Sequence, residues 1–95
     1  MGDQAVFFRK AETYRVMIDA EGTGHIRIIK RMNFRTILAL FKELYLEIRK
    51  NSGRSPHIII HVSQSLYDEM SENLKEFLLF CSACLEGTFE LSVVE

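Results

Sequence analysis

Apolar and polar residues alternate near the start of the chain, in residues 14–20 (YRVMIDA). Residues 25–31 (HIRIIKR) follow as the predicted returning strand. A period of two is typical of a β-strand with one buried face. The intervening residues 21–24 (EGTG) contain two glycines that can take a positive φ, so the three segments together predict a β-hairpin. A shorter apolar piece at residues 5–8 indicates an additional edge strand.

A helix is predicted next, with Asn33 as its N-cap and Gly53 as the residue that ends it. Apolar residues recur at intervals of three and four, which places them on one stripe of the helix. The stripe consists of Phe34, Ile37, Leu38, Phe41, Leu44, Tyr45 and Ile48. Arg49 and Lys50 lie in the last turn, where positive charge is favourable at the negative end of the helix dipole.

The second half of the chain predicts a strand, a helix and a final strand. Residues 57–62 (HIIIHV) form a short β-branched run without a polar face, which predicts a central strand covered on both sides. Ser65 then predicts the start of the second helix, with Asp68 completing a capping box. The apolar face of this helix consists of Leu66, Met70, Leu74, Phe77, Leu78, Cys81 and Leu85. Gly87 is predicted to end the helix, and residues 88–94 (TFELSVV) alternate as the last strand.

These elements follow in the order β-β-α-β-α-β within a single domain that covers residues 1–95. Each strand–helix–strand unit is expected to be a right-handed crossover between parallel strands, whereas the hairpin adds an antiparallel strand. The sequence therefore predicts an α/β fold, with a mixed sheet of four or five strands and two main helices packed on it.

Charge and composition exclude several classes of function. The chain has 95 residues, with 12 Lys+Arg against 13 Asp+Glu and a net charge of −1. A nearly neutral chain has no global field that attracts nucleic acid or an anionic membrane, so neither is expected as a partner. No segment approaches the ~18 apolar residues of a membrane span. The first residues also lack the apolar core of a secretory leader, and the two cysteines are therefore expected to be reduced thiols in the cytoplasm.

The cysteines and histidines are the residues that most resemble a catalytic or metal centre. Cys81 and Cys84 form a C-x-x-C motif near the predicted end of the second helix, where the dipole disfavours a thiolate, so core packing is the favoured interpretation. His57 and His61 are four residues apart in a strand, which separates them by ~13 Å and prevents them from sharing one metal ion. His25 is expected to be alone near a turn and solvated. No metal and no cofactor are predicted.

Other signatures of catalysis do not occur. None of the five glycines precedes a helix in the spacing of a phosphate-binding loop. The sequence also lacks the nucleophile elbow of hydrolases, and its carboxylates are spread over solvated helix faces. The chain is therefore not expected to be an enzyme.

A basic cluster near the first helix is a candidate anion site. It consists of Arg27, Lys30, Arg31 and Arg35. The cluster lies at the end of the second predicted strand and in the first turn of the helix, on the edge where ligands of open α/β sheets usually bind. Lys30, Arg31 and Arg35 could supply charge to a small anion or a nucleotide. The alternative interpretation is that these side chains only solvate the surface.

Three apolar residues lie outside the predicted stripes. Leu46 and Leu79 point away from the apolar faces of their helices, and Phe80 lies at the flank of its face. Several exposed apolar residues close together mark an interaction surface. They indicate a protein partner or a structural homodimer.

The order of elements resembles the STAS domain, the fold of bacterial anti-sigma-factor antagonists. The resemblance covers about residues 14–95 and lies in the segments YRVMID, NFRTILALFKEL and IIIHVS and in the helix that follows them. It implies a non-enzymatic regulatory module that binds a partner protein, such as a kinase-type regulator, at the start of the second helix. The residues implied are Ser63, Gln64, Ser65, Tyr67, Asp68 and Ser71. Asp68 matches the aspartate of the family's Asp-Ser-Ser-Gly signature, whereas Glu69 and Met70 replace its serines, so Ser65 or Ser71 would have to be the phosphorylated residue.

Overall fold

The protein folds as a two-layer α/β domain, seen in a computed structural model that describes residues 7–53 and 55–94. The strands are β1 (Phe7–Lys10), β2 (Tyr14–Ile18), β3 (Gly24–Ile28), β4 (His57–Ser63) and β5 (Thr88–Val94). The helices are α1 (Phe34–Ser52), between β3 and β4, and α2 (Gln64–Cys84), between β4 and β5. The predicted α/β class is confirmed. In the described part of the chain, neither helix is long and apolar enough to cross a membrane.

The five strands form one mixed sheet in which spatial order follows chain order. β1 pairs with β2 and β2 with β3 in antiparallel fashion, whereas β3, β4 and β5 are parallel neighbours. The predicted edge strand exists at Phe7–Lys10, slightly later than expected, and residues 5 and 6 lie outside the described part of the chain.

Both helices pack on the same face of this sheet and enclose one core. α1 contacts β2 and β3, and α2 contacts β4 and β5. The core residues are Val16, Ile18, Ile26, Ile28, Ile37, Leu40, Phe41, Leu44, Tyr45, Ile48, Ile58, Ile60, Val62, Met70, Leu74, Phe77 and Cys81. Within residues 7–53 and 55–94, no helix lies on the other face of the sheet, which we call the uncovered face.

The expectation that β4 is covered on both sides is wrong. Ile58 and Ile60 are fully buried beneath the helices, whereas His57, Ile59 and His61 alternate with them and remain partly exposed. The strand therefore has the ordinary period of two. Ile59 hides that period in the sequence, because an apolar side chain occupies a position on the uncovered face.

α1 begins and ends where the sequence predicts. The side chain of Asn33 accepts a hydrogen bond from the backbone N–H of Thr36 at 2.9 Å, which satisfies one of the free amides of the first turn. Gly53 ends the helix in the left-handed conformation, with φ 68°. Leu40 joins the buried stripe, whereas Phe34 at its start is 42% exposed.

The predicted capping box of α2 is wrong by two positions. Ser63, the last residue of β4, is the N-cap, and its hydroxyl accepts a hydrogen bond from the N–H of Leu66 at 3.2 Å. Ser65 therefore lies inside the first turn. The helix ends at Cys84 rather than at Gly87, and only Cys81 of the two cysteines is buried.

The turn between β2 and β3 depends on Asp19 and on one of the two glycines. Asp19 accepts hydrogen bonds from the N–H groups of Glu21 and Thr23, both at 3.0 Å, and Gly22 adopts φ 90°. Gly24 does not take a positive φ. Its lack of a side chain instead admits α1, because a Cβ there would lie 2.8 Å from carbons of Leu44 and Ile48.

Candidate functional site

The uncovered face carries a row of basic side chains that crosses the sheet at right angles to the strands. Lys10 of β1 pairs with Arg15 of β2, and Arg15 pairs with Arg27 of β3. Arg27 in turn pairs with His61 of β4. We call Lys10, Arg15, Arg27 and His61 the basic row. Because adjacent strands are ~4.8 Å apart, four strands bring these residues into one line.

The cations of the basic row have no carboxylate partners within the described part of the chain. No ion pair there involves Lys10, Arg15 or Arg27. Two concavities of about 450 and 360 Å³ adjoin the row, and Arg15, Arg27 and His61 line both. Asp19 also lines the larger concavity, but its carboxylate is bonded to His25. Since like charges directly opposite each other destabilise a sheet, the arrangement of Arg15 and Arg27 favours a further anion from outside the described part of the chain.

We expect Arg15→Gln to raise the stability of the isolated protein by about 0.5 kcal/mol, because it removes one of the opposed charges and keeps most of the side chain. Urea unfolding at low salt measures the difference. The gain should shrink in about 1 M salt, where charges are screened over about 3 Å. Lys42→Gln, an equal charge change on exposed α1, serves as the control and should show no gain. A less stable Arg15→Gln variant at low salt would show that the row is not repulsive.

A chain of hydrogen bonds joins the basic row to the hairpin turn. Nε2 of His25 lies 2.8 Å from Oδ2 of Asp19, and Nδ1 of His25 lies 2.9 Å from Nε2 of His61. The two imidazole rings stack with centroids 5.1 Å apart. We call Asp19, His25 and His61 the histidine chain. The expectation that His25 is alone and solvated is therefore wrong.

The protonation of the histidine chain follows from its surroundings. Burial acts to raise the pKa of Asp19, but hydrogen bonds from His25 and from the backbone of Thr23 and Glu21 outweigh it and lower this pKa below its usual value. Burial, followed by the nearby His25 and Arg27, lowers the pKa of His61. Asp19 is consequently ionised at neutral pH and His61 is neutral.

The protonation states of Asp19 and His61 determine which ring nitrogens carry a hydrogen. An ionised Asp19 can only accept a hydrogen bond, so Nε2 of His25 carries a hydrogen and donates a hydrogen bond to the carboxylate. In a neutral His25 ring, Nδ1 is then the acceptor, and His61 donates to it through Nε2. Nδ1 of a neutral His61 is left unprotonated, and Arg27 is the register neighbour of His61 on β3.

Strand register brings the two histidines together. His25 pairs with Ile59 in the parallel β3–β4 ladder, so His61 is the diagonal neighbour two residues further along β4. Diagonal side chains of this kind are about 7–8 Å apart at their bases, within reach of two imidazole rings. The sequence offers two signals for this pair of histidines. His25 directly follows a glycine turn, and His61 alternates with isoleucines that are buried in the structure.

The predicted partner-binding residues lie along the first two turns of α2. Gln64, Tyr67, Asp68 and Ser71 share one flank of the helix because they are spaced at three- and four-residue intervals. Gln64 donates to Asp68 at 2.9 Å, and Ser65, though exposed, lies off that flank. The remaining member, Ser63, is the N-cap, and it also lines the 360 Å³ concavity with Arg15, Arg27 and His61.

Two of the three residues of the predicted anion site, Lys30 and Arg31, are engaged by carboxylates. Lys30 forms an ion pair with Glu12 at 2.9 Å, and Arg31 forms one with Glu69 of α2 at 3.2 Å. Arg35 is exposed in the first turn of α1. Arg27, the fourth residue of the predicted cluster, belongs to the basic row instead.

The remaining candidate ligands and nucleophiles are engaged separately. His57 contacts Glu90 of β5 at the opposite end of the uncovered face from Ser63. Burial, with a smaller effect of Cys84, raises the pKa of the Cys81 thiol to about 11, so Cys81 is an unreactive core residue. In the part of the chain that the structure describes, no three His, Cys, Asp or Glu side chains are arranged to hold a metal ion.

The apolar residues that the sequence placed outside the stripes are indeed on the surface. Leu46 is 63% exposed on α1, and Leu79 and Phe80 are 71% and 61% exposed on α2. All three lie on the helix layer, on the other side of the sheet from the basic row.

The fold and the site define a class: a two-layer α/β domain whose mixed sheet has one uncovered face with a basic row. Comparisons of the chain with protein family models, with curated proteins and with solved structures find no match. The resemblance to STAS domains therefore stays a prediction from the order of elements.

Proposed function

We propose that this protein is a non-catalytic interaction module that binds an acidic segment of a partner protein on the uncovered face of its sheet. The observation that carries the proposal is the basic row, in which Arg15 and Arg27 oppose each other without a carboxylate partner among the described residues. An acidic partner would relieve this repulsion on binding. Charge complementarity of this kind sets specificity and the rate of association.

Apolar side chains beside the row support a protein as the partner. Met17 and Ile59 flank His25 in the next line across the sheet and are only partly buried. Apolar residues bordered by charged ones are the usual composition of a protein interface.

The face also continues to the edge that the STAS resemblance implies. Ser63 lines the same concavity as Arg15 and Arg27, and the exposed Gln64 and Ser65 follow it directly. A partner that covers the basic row could therefore reach the first turn of α2. The proposed module is of the STAS type, but its binding surface is centred on the sheet and not on α2.

Fluorescence anisotropy with a labelled poly-glutamate peptide tests this proposal. We expect saturable binding that weakens as salt is added, and at least about tenfold weaker binding by the Arg15→Gln/Arg27→Gln variant, a loss of about 1.4 kcal/mol. Lys42→Gln removes the same type of charge from the helix layer and should bind like the wild type. A poly-glutamine peptide of equal length should not bind. Equal weakening by Lys42→Gln, or no binding of poly-glutamate, would contradict the proposal.

A small anionic ligand is the second candidate, because the 450 Å³ concavity falls within the range of about 300–1,000 Å³ that is usual for ligand pockets. A phosphorylated metabolite present at about 100 times its Kd would add about 2.7 kcal/mol to stability, which a thermal-shift screen detects. Stabilisation by such a metabolite, without binding of poly-glutamate, would favour this candidate over the first.

A further inference from the structure

We propose that Arg15, Arg27 and His61 bind the phosphate monoester of a phosphorylated side chain in the partner protein. This inference rests on the proposed function, since it names the chemistry of the acidic group that the uncovered face recognises. It differs from a phosphorylation of this chain, because here the phosphate belongs to the partner.

Two guanidinium groups and one imidazole, from three adjacent strands, line this position. The register places Arg15 opposite Arg27 and Arg27 opposite His61, and both concavities are lined by all three residues. A phosphate monoester has three acceptor oxygens and carries a charge of about −1.5 to −2 at neutral pH. Guanidinium groups match such oxygens bidentately. A carboxylate offers only two oxygens and one charge, so it leaves part of the site unsatisfied.

His61 becomes a donor to the phosphate when it takes up a proton. Its Nε2 is committed to His25, and the hydrogen-bond pattern leaves Nδ1 as the nitrogen that a proton can occupy. The other titratable or charged groups on the uncovered face are Lys10 of β1, Arg15 of β2, Asp19 after β2, His25 and Arg27 of β3, His57 of β4 and Glu90 of β5.

Cations dominate the surroundings of His61, and an anion reverses their effect. Burial is the main cause of the lowered pKa of His61 in the free protein, and repulsion by His25 and then by Arg27 lowers it further. A bound dianion between Arg15, Arg27 and His61 would offset that repulsion and favour the protonated ring. Binding of the phosphate and protonation of His61 should therefore strengthen each other, since linkage is reciprocal.

The flanking apolar side chains indicate that the bound phosphate group belongs to a peptide and not to a free phosphate ion. Met17 and Ile59 lie in the line next to the basic row, where residues on either side of a phosphorylated side chain can pack against them. Free phosphate or free phosphoserine would use the charges alone.

The test is an NMR titration of the whole chain with three probes. These are a short alanine peptide with a central phosphoserine, the same peptide with glutamate at that position, and free phosphoserine. Backbone and arginine side-chain signals report the site of binding, and the ring nitrogen signals of His61 report its protonation. We expect the phosphopeptide to bind at least about tenfold more tightly than the glutamate peptide and more tightly than free phosphoserine.

The pH dependence supplies a second readout, which reports on His61 directly. In the phosphopeptide complex, the midpoint for protonation of His61 should lie about one pH unit or more above that of the free protein, which corresponds to about tenfold tighter binding by the protonated ring. His61→Gln should keep the arginine contacts and lose this linked proton uptake. Arg15→Gln and Arg27→Gln should each weaken binding about tenfold, and Lys42→Gln should not.

Each outcome separates the inference from the proposed function. If the glutamate peptide binds as tightly as the phosphopeptide, and both depend on Arg15 and Arg27, the phosphate inference is overturned while the proposed function stands. If neither peptide binds, both fail. If free phosphoserine binds as tightly as the phosphopeptide, the source is a small molecule and a phosphorylated partner is excluded. An unchanged midpoint of His61 in the complex overturns its role as a donor.

Discussion

Phe77→Ala is expected to destabilise the protein by about 3–5 kcal/mol, the usual cost of removing a buried aromatic side chain. Phe77 of α2 is 1% exposed, and its ring makes edge-on contacts with Phe34 and Phe41 of α1 at centroid distances of 5.3 and 5.1 Å. The ring therefore connects the two helices above the sheet. Urea unfolding followed by circular dichroism measures the loss, and the signals of α1 and α2 should disappear together.

Phe80→Ala is the matched control, because it makes the same change one turn further along α2. Phe80 is 61% exposed, so its removal should change stability by no more than about 0.5 kcal/mol. Similar losses for the two variants would show that Phe77 does not occupy the core. A loss for Phe80→Ala that grows with protein concentration would instead support the homodimer that the exposed Leu46, Leu79 and Phe80 suggest.

The features that could be predicted from the sequence are those that local interactions determine. Asn33 caps α1 through a residue three positions away, and Gly53 ends it with its own backbone conformation. The apolar stripe of α1 was visible because a helix repeats within a few residues. These signals are complete within the segment itself, so the helix was predicted almost to its ends.

The start of α2 was missed because two local signals compete there. Ser63 and Ser65 are both good N-cap residues, and Asp68 made Ser65 look like the first position of a capping box. The structure uses Ser63, since β4 runs directly into the helix without a loop. The choice between two adjacent caps depends on where the strand ends, which is a property of the sheet.

The uncovered face could not be predicted because it depends on which side of the sheet each helix occupies. Ile59 concealed the period of β4, and with it the fact that His57 and His61 share a partly exposed face. Arg15 and Arg27 were recognisable as polar positions on their strands. Only the register of separate strands shows that they oppose each other and that His61 completes the line.

Gly87→Ala is expected to destabilise the protein by about 3 kcal/mol, because the backbone at this position is almost restricted to glycine. Gly87 has φ 145°, and a Cβ there would lie 2.4 Å from the backbone oxygen of Pro56 and 2.8 Å from the ring of Phe89. The adjacent N–H of Thr88 donates to that same oxygen at 2.9 Å. Urea unfolding measures the loss, and hydrogen exchange of the β5 amides should show where it arises.

Gly53→Ala compares Gly87, where an extreme φ and a clash coincide, with a glycine that has a milder positive φ and no clash. Gly53 also has a positive φ, but a Cβ there would meet no atom within 4 Å, so its replacement should cost only about 1 kcal/mol. Equal losses would mean that the contact with Pro56 is unimportant. A larger loss at Gly87, with faster exchange confined to β5, would show that this contact holds β5 in register beside β4. Since that register places Ser92 next to His61, the basic row should then lose its neighbour on the β5 side when the contact is broken.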